Sequence, residues 1–197
     1  MNKLQDILDE IKKLEKELLL EIQKKEDEFF YKIKGKRVYF DVATKRYHKT
    51  IATKIHTYIL DASLLNILTV PFIWFCIFPA LFMDLVVSVY QFVCFKVYGI
   101  PTVKRNDYIV VDRQSLDYLN PIEKLNCIYC GYFNGLIAYV QEIAARTEQY
   151  WCPIKHARKI AAMHKRYHKF LNYGDHQGYQ KMLAQIREDF SDLKDGA

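Results

Sequence analysis

The chain has 197 residues, a formal net charge of +6 and five cysteines. That length allows one medium domain or two small ones, and the odd cysteine count points to reduced thiols in a cytosol-like compartment rather than to a disulfide framework. The mean hydropathy, −0.15, hides an uneven layout that excludes a uniform soluble globule: residues 1–57 are rich in Lys and Glu, residues 62–95 hold one charge, Asp84, and the rest is mixed and basic.

Neither a cleavable signal peptide nor a mitochondrial presequence is visible, because the N-terminus alternates leucine with many charges of both signs. Residues 3–30 read as a helix. Leu4, Ile7, Ile11, Leu14 and Leu18 recur at spacings of three and four, a coiled-coil seam or an amphipathic face lying on the protein's own body. Gly35 ends this arm, and 36–42 is a short strand or an extended linker. Lys45, Arg46, Lys49 and Lys54 follow without an acid among residues 44–54, the positive-inside pattern ahead of an apolar segment.

The apolar segment, 62–95, is long enough to enter a bilayer. Basic residues flank it on both sides, with Lys96, Lys104 and Arg105 after it, so both flanks are expected on the cytoplasmic side and the segment is expected to turn back as a hairpin, either two thin spans or a deep re-entrant loop. A turn at Phe78-Pro79 sets Asn66 level with Gln91 and Thr69 level with Ser88, where hydrogen bonds between the arms satisfy polar groups that hydrocarbon cannot. Asp84 fits this arrangement poorly: it lies in the far headgroup region, the favoured reading since intramembrane charge is expensive, or it is a buried functional carboxylate.

Gly99 and Pro101 mark the exit from the membrane, and 107–112 is a short strand candidate. Asn120 and Pro121 form a helix start, cap and first position. Residues 133–151 read as one helix. Residues 152–171 read as a second, with Pro153 at its first position and Cys152 at its cap. Residues 179–195 form a last amphipathic helix. On the second of these, Arg158, Lys159 and Arg166 are expected against anionic headgroups. No nucleic-acid motif, P-loop or hydrolase signature is present.

Cys127, Cys130, Cys152 and His156 have the spacing C-x2-C-x21-C-x3-H. Two close pairs from separate segments suit a tetrahedral zinc site, and a helix N-terminus favours the thiolate form of Cys152. The hexapeptide CIYCGY, 127–132, resembles the C-x-x-C-G-Y knuckle of rubredoxins and zinc ribbons. That resemblance implies Cys127 and Cys130 as ligands and Gly131 as the knuckle glycine. The second half departs from it: CPIKH stands where a rubredoxin repeats C-x-x-C, which moves the expectation from iron to zinc. The chain as a whole resembles uncharacterised small bacterial membrane proteins with this knuckle, and that resemblance brings no activity with it.

The expected fold is mainly α: an N-terminal helix (1–34), a basic linker (35–57), a membrane hairpin (58–98) and a small helical domain stapled by metal (99–197). The expected function is a membrane-anchored zinc protein with a structural Cys3His site, acting in interaction or scaffolding at the cytoplasmic face of a bacterial inner membrane, both termini cytoplasmic. Its partners are lipid, and a second copy or another protein through the N-terminal helix; nucleic acid is not expected. The alternatives are a thiol–disulfide redox enzyme using Cys152 with Cys127 and Cys130, and an iron–thiolate electron carrier.

Overall fold

In the computed structural model, which describes residues 3–35 and 37–193, the protein is mainly helical. The chain divides into two compact units. One comprises residues 1–62 and 112–128, the other residues 63–111 and 129–197.

The first unit opens with α1, Lys3–Glu28. Two short antiparallel strands follow, β1 Tyr31–Lys34 and β2 Arg37–Phe40, with Tyr31 opposite Phe40 and Lys34 opposite Arg37. The stretch read as strand or linker is thus the second arm of a hairpin. Asp41 caps α2, Val42–Ile51, its carboxylate accepting from the Ala43 amide at 3.1 Å. A short helix α3, Ile55–Leu60, ends the first segment. The ring of His48 meets Phe40 at 5.2 Å and Tyr118 at 5.1 Å, both edge-on. These aromatic contacts fasten residues 112–128 to the first segment.

The second unit is built on the apolar segment. Helices α4, Leu64–Phe75, and α5, Ile77–Tyr90, run on through a π-helical turn, Gln91–Phe95, into α6, Lys96–Tyr98. Together they make one helix of 35 residues. The expected hairpin is therefore corrected. Cys76 between α4 and α5 keeps a right-handed helical conformation, φ −63° and ψ −14°. Its amide bonds back to Ile73 three residues earlier, at 3.2 Å. Pro79 falls in the first turn of α5, where a missing N–H is tolerated, so the helix runs through it without a reversal.

The helix stops at Gly99, whose φ of +67° closes a Schellman turn in which the Ile100 amide bonds to the Phe95 carbonyl at 2.9 Å. The chain then reverses, and 100–111 runs back beside the helix it has just left. Asn120 and Glu123 form a reciprocal capping box, at 2.8 and 3.0 Å, with Pro121 between them. This start carries α7 without interruption from Pro121 to Trp151, twelve residues earlier than the helix read from 133.

Within the second unit, α7 lies parallel to the apolar helix. Taken in order, Tyr129, Tyr132, Tyr139, Thr147 and Tyr150 touch Ile73, Asp84, Ser88, Tyr90 and Tyr98. The core between these elements is Ala80, Phe95, Ile100, Val103, Leu136, Tyr139, Ile143 and Phe190.

Residues 152–171 are irregular, which corrects the second helix expected there. Pro153 ends α7 rather than starting a new helix. Its carbonyl accepts from the Leu171 amide at 2.8 Å, and the Leu171 carbonyl accepts from Lys155 at 2.7 Å. The last helix, α8, His176–Glu188, begins at an Asp175 cap, three residues before the expected start.

The return segment fits against α7 only because Gly131 and Gly135 lack side chains. A Cβ at Gly135 would lie 2.6 Å from the Tyr108 carbonyl oxygen and 2.8 Å from the Ile109 Cα, both backbone atoms; at Gly131 the nearest atom is the Val110 oxygen at 3.2 Å. Gly135→Ala is expected to cost about 1–3 kcal/mol by overpacking, and Gly131→Ala clearly less. Thermal unfolding of the two variants in detergent checks that order.

Candidate membrane interface

The apolar helix has two sides of opposite chemistry. Asp84, Ser88, Gln91 and Phe95 follow one another at helical spacing on the side turned to the rest of the unit. On the other side Phe78, Phe82, Leu85, Val89, Phe92 and Val93 are each more than half exposed. Helix α4 is exposed around most of its circumference, including Leu64, Leu65, Phe72 and Phe75, with Trp74 half-buried against Tyr129 at 5.1 Å. An 18-residue stretch of this helix reaches a mean hydropathy of 2.2. A soluble surface rarely carries a contiguous apolar face of this extent.

Each polar group on the inner side has a partner. The guanidinium of Arg105 grips the Asp84 carboxylate with Nε at 3.1 and 3.2 Å and Nη2 at 2.6 Å. Tyr132 donates to the same carboxylate at 2.9 Å, and Ser88 donates to it at 3.4 Å. The Gln91 amide works as a backbone mimic: its oxygen accepts from the Val103 amide at 2.9 Å and its nitrogen donates to the Val103 carbonyl at 3.3 Å. It also bonds the Tyr139 hydroxyl. Asp84 is therefore neither free nor unpaired; its cation comes from the return segment, 21 residues later. Chemically this is a satisfied ion pair and amide clamp.

The interhelical pairs expected from the hairpin do not form. Asn66 and Gln91 lie 25 residues apart on one helix, and Thr69 and Ser88 lie 19 apart, roughly 37 and 28 Å at 1.5 Å per residue. Thr69 instead bonds the Asn66 carbonyl at 2.8 Å, and Ser88 and Gln91 turn to the return segment and α7.

The Cys3His arrangement is corrected as well. Cys130 lies inside α7, and Trp151, the last residue of that helix, is 21 residues further on, roughly 31 Å along the axis. Cys152 and His156 follow that far end. CIYCGY is helical, so it is not a knuckle, and Cys127 and Cys130 are one turn apart on a helix. Among the described residues no group of three or more Cys, His, Asp or Glu side chains is placed to hold an ion. His156 stacks on Tyr167 instead, at 6.4 Å. The structure thus places Cys127 and Cys130 apart from Cys152 and His156, so the four do not converge and Cys152 does not face Cys130.

Of the three expected headgroup contacts, Arg158 and Lys159 are exposed. Arg166 is not: its side chain is 3% exposed. It bonds Glu142 at 3.1 Å, Gln149 at 3.0 Å and Asp192 at 3.1 Å. Gln149, fully buried, donates in turn to the carbonyls of Ile186 and Asp189 at 2.9 and 2.7 Å. Arg166 is the centre that ties the irregular 152–171 stretch to α7 and the C-terminal segment.

In the first unit, Phe29, Phe30, Phe40, Tyr47, His48 and Tyr118 line a cavity of about 680 Å³. Scans against family models, curated proteins and solved structures find no match to the chain.

Arg105→Ala leaves the mostly buried Asp84 without its cation and is expected to destabilise the second unit by about 1–3 kcal/mol. Lys104→Ala, an exposed neighbour, is expected to stay within about 0.5 kcal/mol. Cys152→Ser, at an exposed position, is expected to be equally mild, where a structural zinc ligand would cost several kcal/mol. Denaturant unfolding of the three variants compares them directly.

Proposed function

We propose that this chain is a membrane-anchored interaction protein, held on a lipid surface by the helix from Leu64 to Tyr98. The observation that carries the reading is the division of that helix: every buried polar side chain on it is satisfied by the protein, and the opposite side is apolar and uncovered. Lys45, Arg46, Lys49 and Lys54 before it and Lys96 and Lys104 after it suit anionic headgroups on the cytoplasmic face of a bacterial inner membrane. The ammonium of Lys96 lies 4.0 Å from the Phe92 ring centre, at the edge of the apolar face, as a snorkelling lysine does. The free thiols fit that reducing side.

The interaction role belongs to α1. Ile7, Ile11, Leu14 and Leu18 stay exposed along it, from 46% to 61%. That exposed apolar stripe suits a second copy or another protein's helix.

Flotation with vesicles containing phosphatidylglycerol tests the anchoring. Wild-type protein is expected in the lipid fraction, and Phe82→Asp with Val89→Asp is expected to move it out while the circular dichroism stays helical. Wild-type protein that remains monomeric and in the aqueous fraction, without detergent, would overturn the proposal.

A further inference from the structure

We infer that the helix from Leu64 to Tyr98 does not cross the bilayer but lies along its surface, the Phe78–Val93 face down in the lipid. The inference rests on the anchoring reading and adds its geometry. Its first support is chain topology. Residues 63–111 leave the first unit and return to it, because residues 1–62 and 112–128 form one compact body, with His48 against Tyr118 at 5.1 Å. A folded unit cannot be divided by a membrane, so both ends of the excursion lie on one side.

Its second support is the chemistry of the way back. The outward leg is the 35-residue helix, and the return leg is 100–111. That leg runs beside the C-terminal half of the helix, Val103 at Gln91 and Arg105 at Asp84. It is short and mostly irregular, and Lys104, Arg105, Asn106 and Asp107 are exposed on it. Non-helical backbone with exposed charges does not stand in hydrocarbon. The level of residues 84–95 is therefore outside the hydrocarbon on the return-segment side, although the far side of the same helix is apolar.

A helix covered on one side by a charged, exposed segment and apolar on the other along the same stretch lies in the interface plane, sunk by about 5–10 Å. Length agrees. Thirty-five residues measure about 52 Å, against a hydrocarbon thickness of about 30 Å. Helix α4, exposed apart from Trp74, has 12 residues, about 18 Å, too short to span alone. The bend allowed at Cys76 and Pro79 lets it dip deeper than α5.

Depth along the helix decides the matter. Phe78→Trp, Leu85→Trp and Phe92→Trp are each placed in a full chain carrying Trp74→Phe and Trp151→Phe, in phosphatidylcholine–phosphatidylglycerol vesicles. Each is then read by quenching from lipids brominated at different acyl depths. The three positions are expected at nearly one depth, about 5–10 Å below the headgroups. Depths that step by about 1.5 Å per residue, about 21 Å from 78 to 92, mean a crossing and overturn the inference. Floating protein with no quenching also overturns it, whereas protein that does not float overturns the anchoring reading itself. Wild-type protein gives an independent check free of folding defects. In sealed vesicles an impermeant amine reagent is expected to modify Lys49 and Lys104 from the same side, and modification from opposite sides contradicts the inference.

Discussion

An apolar helix can carry an aspartate, a serine and a glutamine only if something beside it satisfies them. In this protein that constraint organises the whole second unit. The chain reverses at Gly99 and sends 100–111 back along the helix, where the Arg105 guanidinium meets Asp84 and the Val103 peptide meets the Gln91 amide. The amide clamp fixes the register of the return segment, because Gln91 matches a single peptide unit at both its donor and its acceptor. The ion pair fixes the orientation of the same segment two residues further on.

The reversal then sets how α7 can approach. A segment lying in the groove between two helices leaves little room, and Gly131 and Gly135, one turn apart, provide it. With the backbone of 108–110 seated there, the α7 tyrosines reach past it, Tyr132 to Asp84 and Tyr139 to Ser88 and Gln91. Polar groups inside the unit and apolar groups outside it are two results of one arrangement. The outside face stays apolar because the inside face has used up every hydrogen-bonding side chain from Asp84 to Gln91.

Much of the fold is written in local sequence. The heptad-like leucines and isoleucines announce α1, Asn120 with Pro121 announces the start of α7, and the scarcity of charge over 62–95 announces the apolar helix. The site was less legible, for physical reasons. A proline reports a lost hydrogen bond, not the direction of the chain, so Pro79 suited a reversal and a first-turn kink equally well, and Pro153 suited a helix start and a helix stop. CIYCGY looked like a knuckle because cysteine spacing is the same in a turn and along a helix. The informative pattern there was the small-residue pair, glycines four apart at 131 and 135, which signals close approach. The cation of Asp84 had no local signal at all, since it comes from a segment that a chain reversal brings back.

The continuity of the helix through Cys76 supports every later step, and a distance measures it most directly. Spin labels at the exposed positions 68 and 93 in lipid-bound protein, read by double electron–electron resonance, are expected more than about 30 Å apart, since 25 residues of helix extend about 37 Å before any bend. A separation near 10–15 Å, the spacing of two packed helices with their labels, would mean that the chain turns back at Phe78 and would contradict the account.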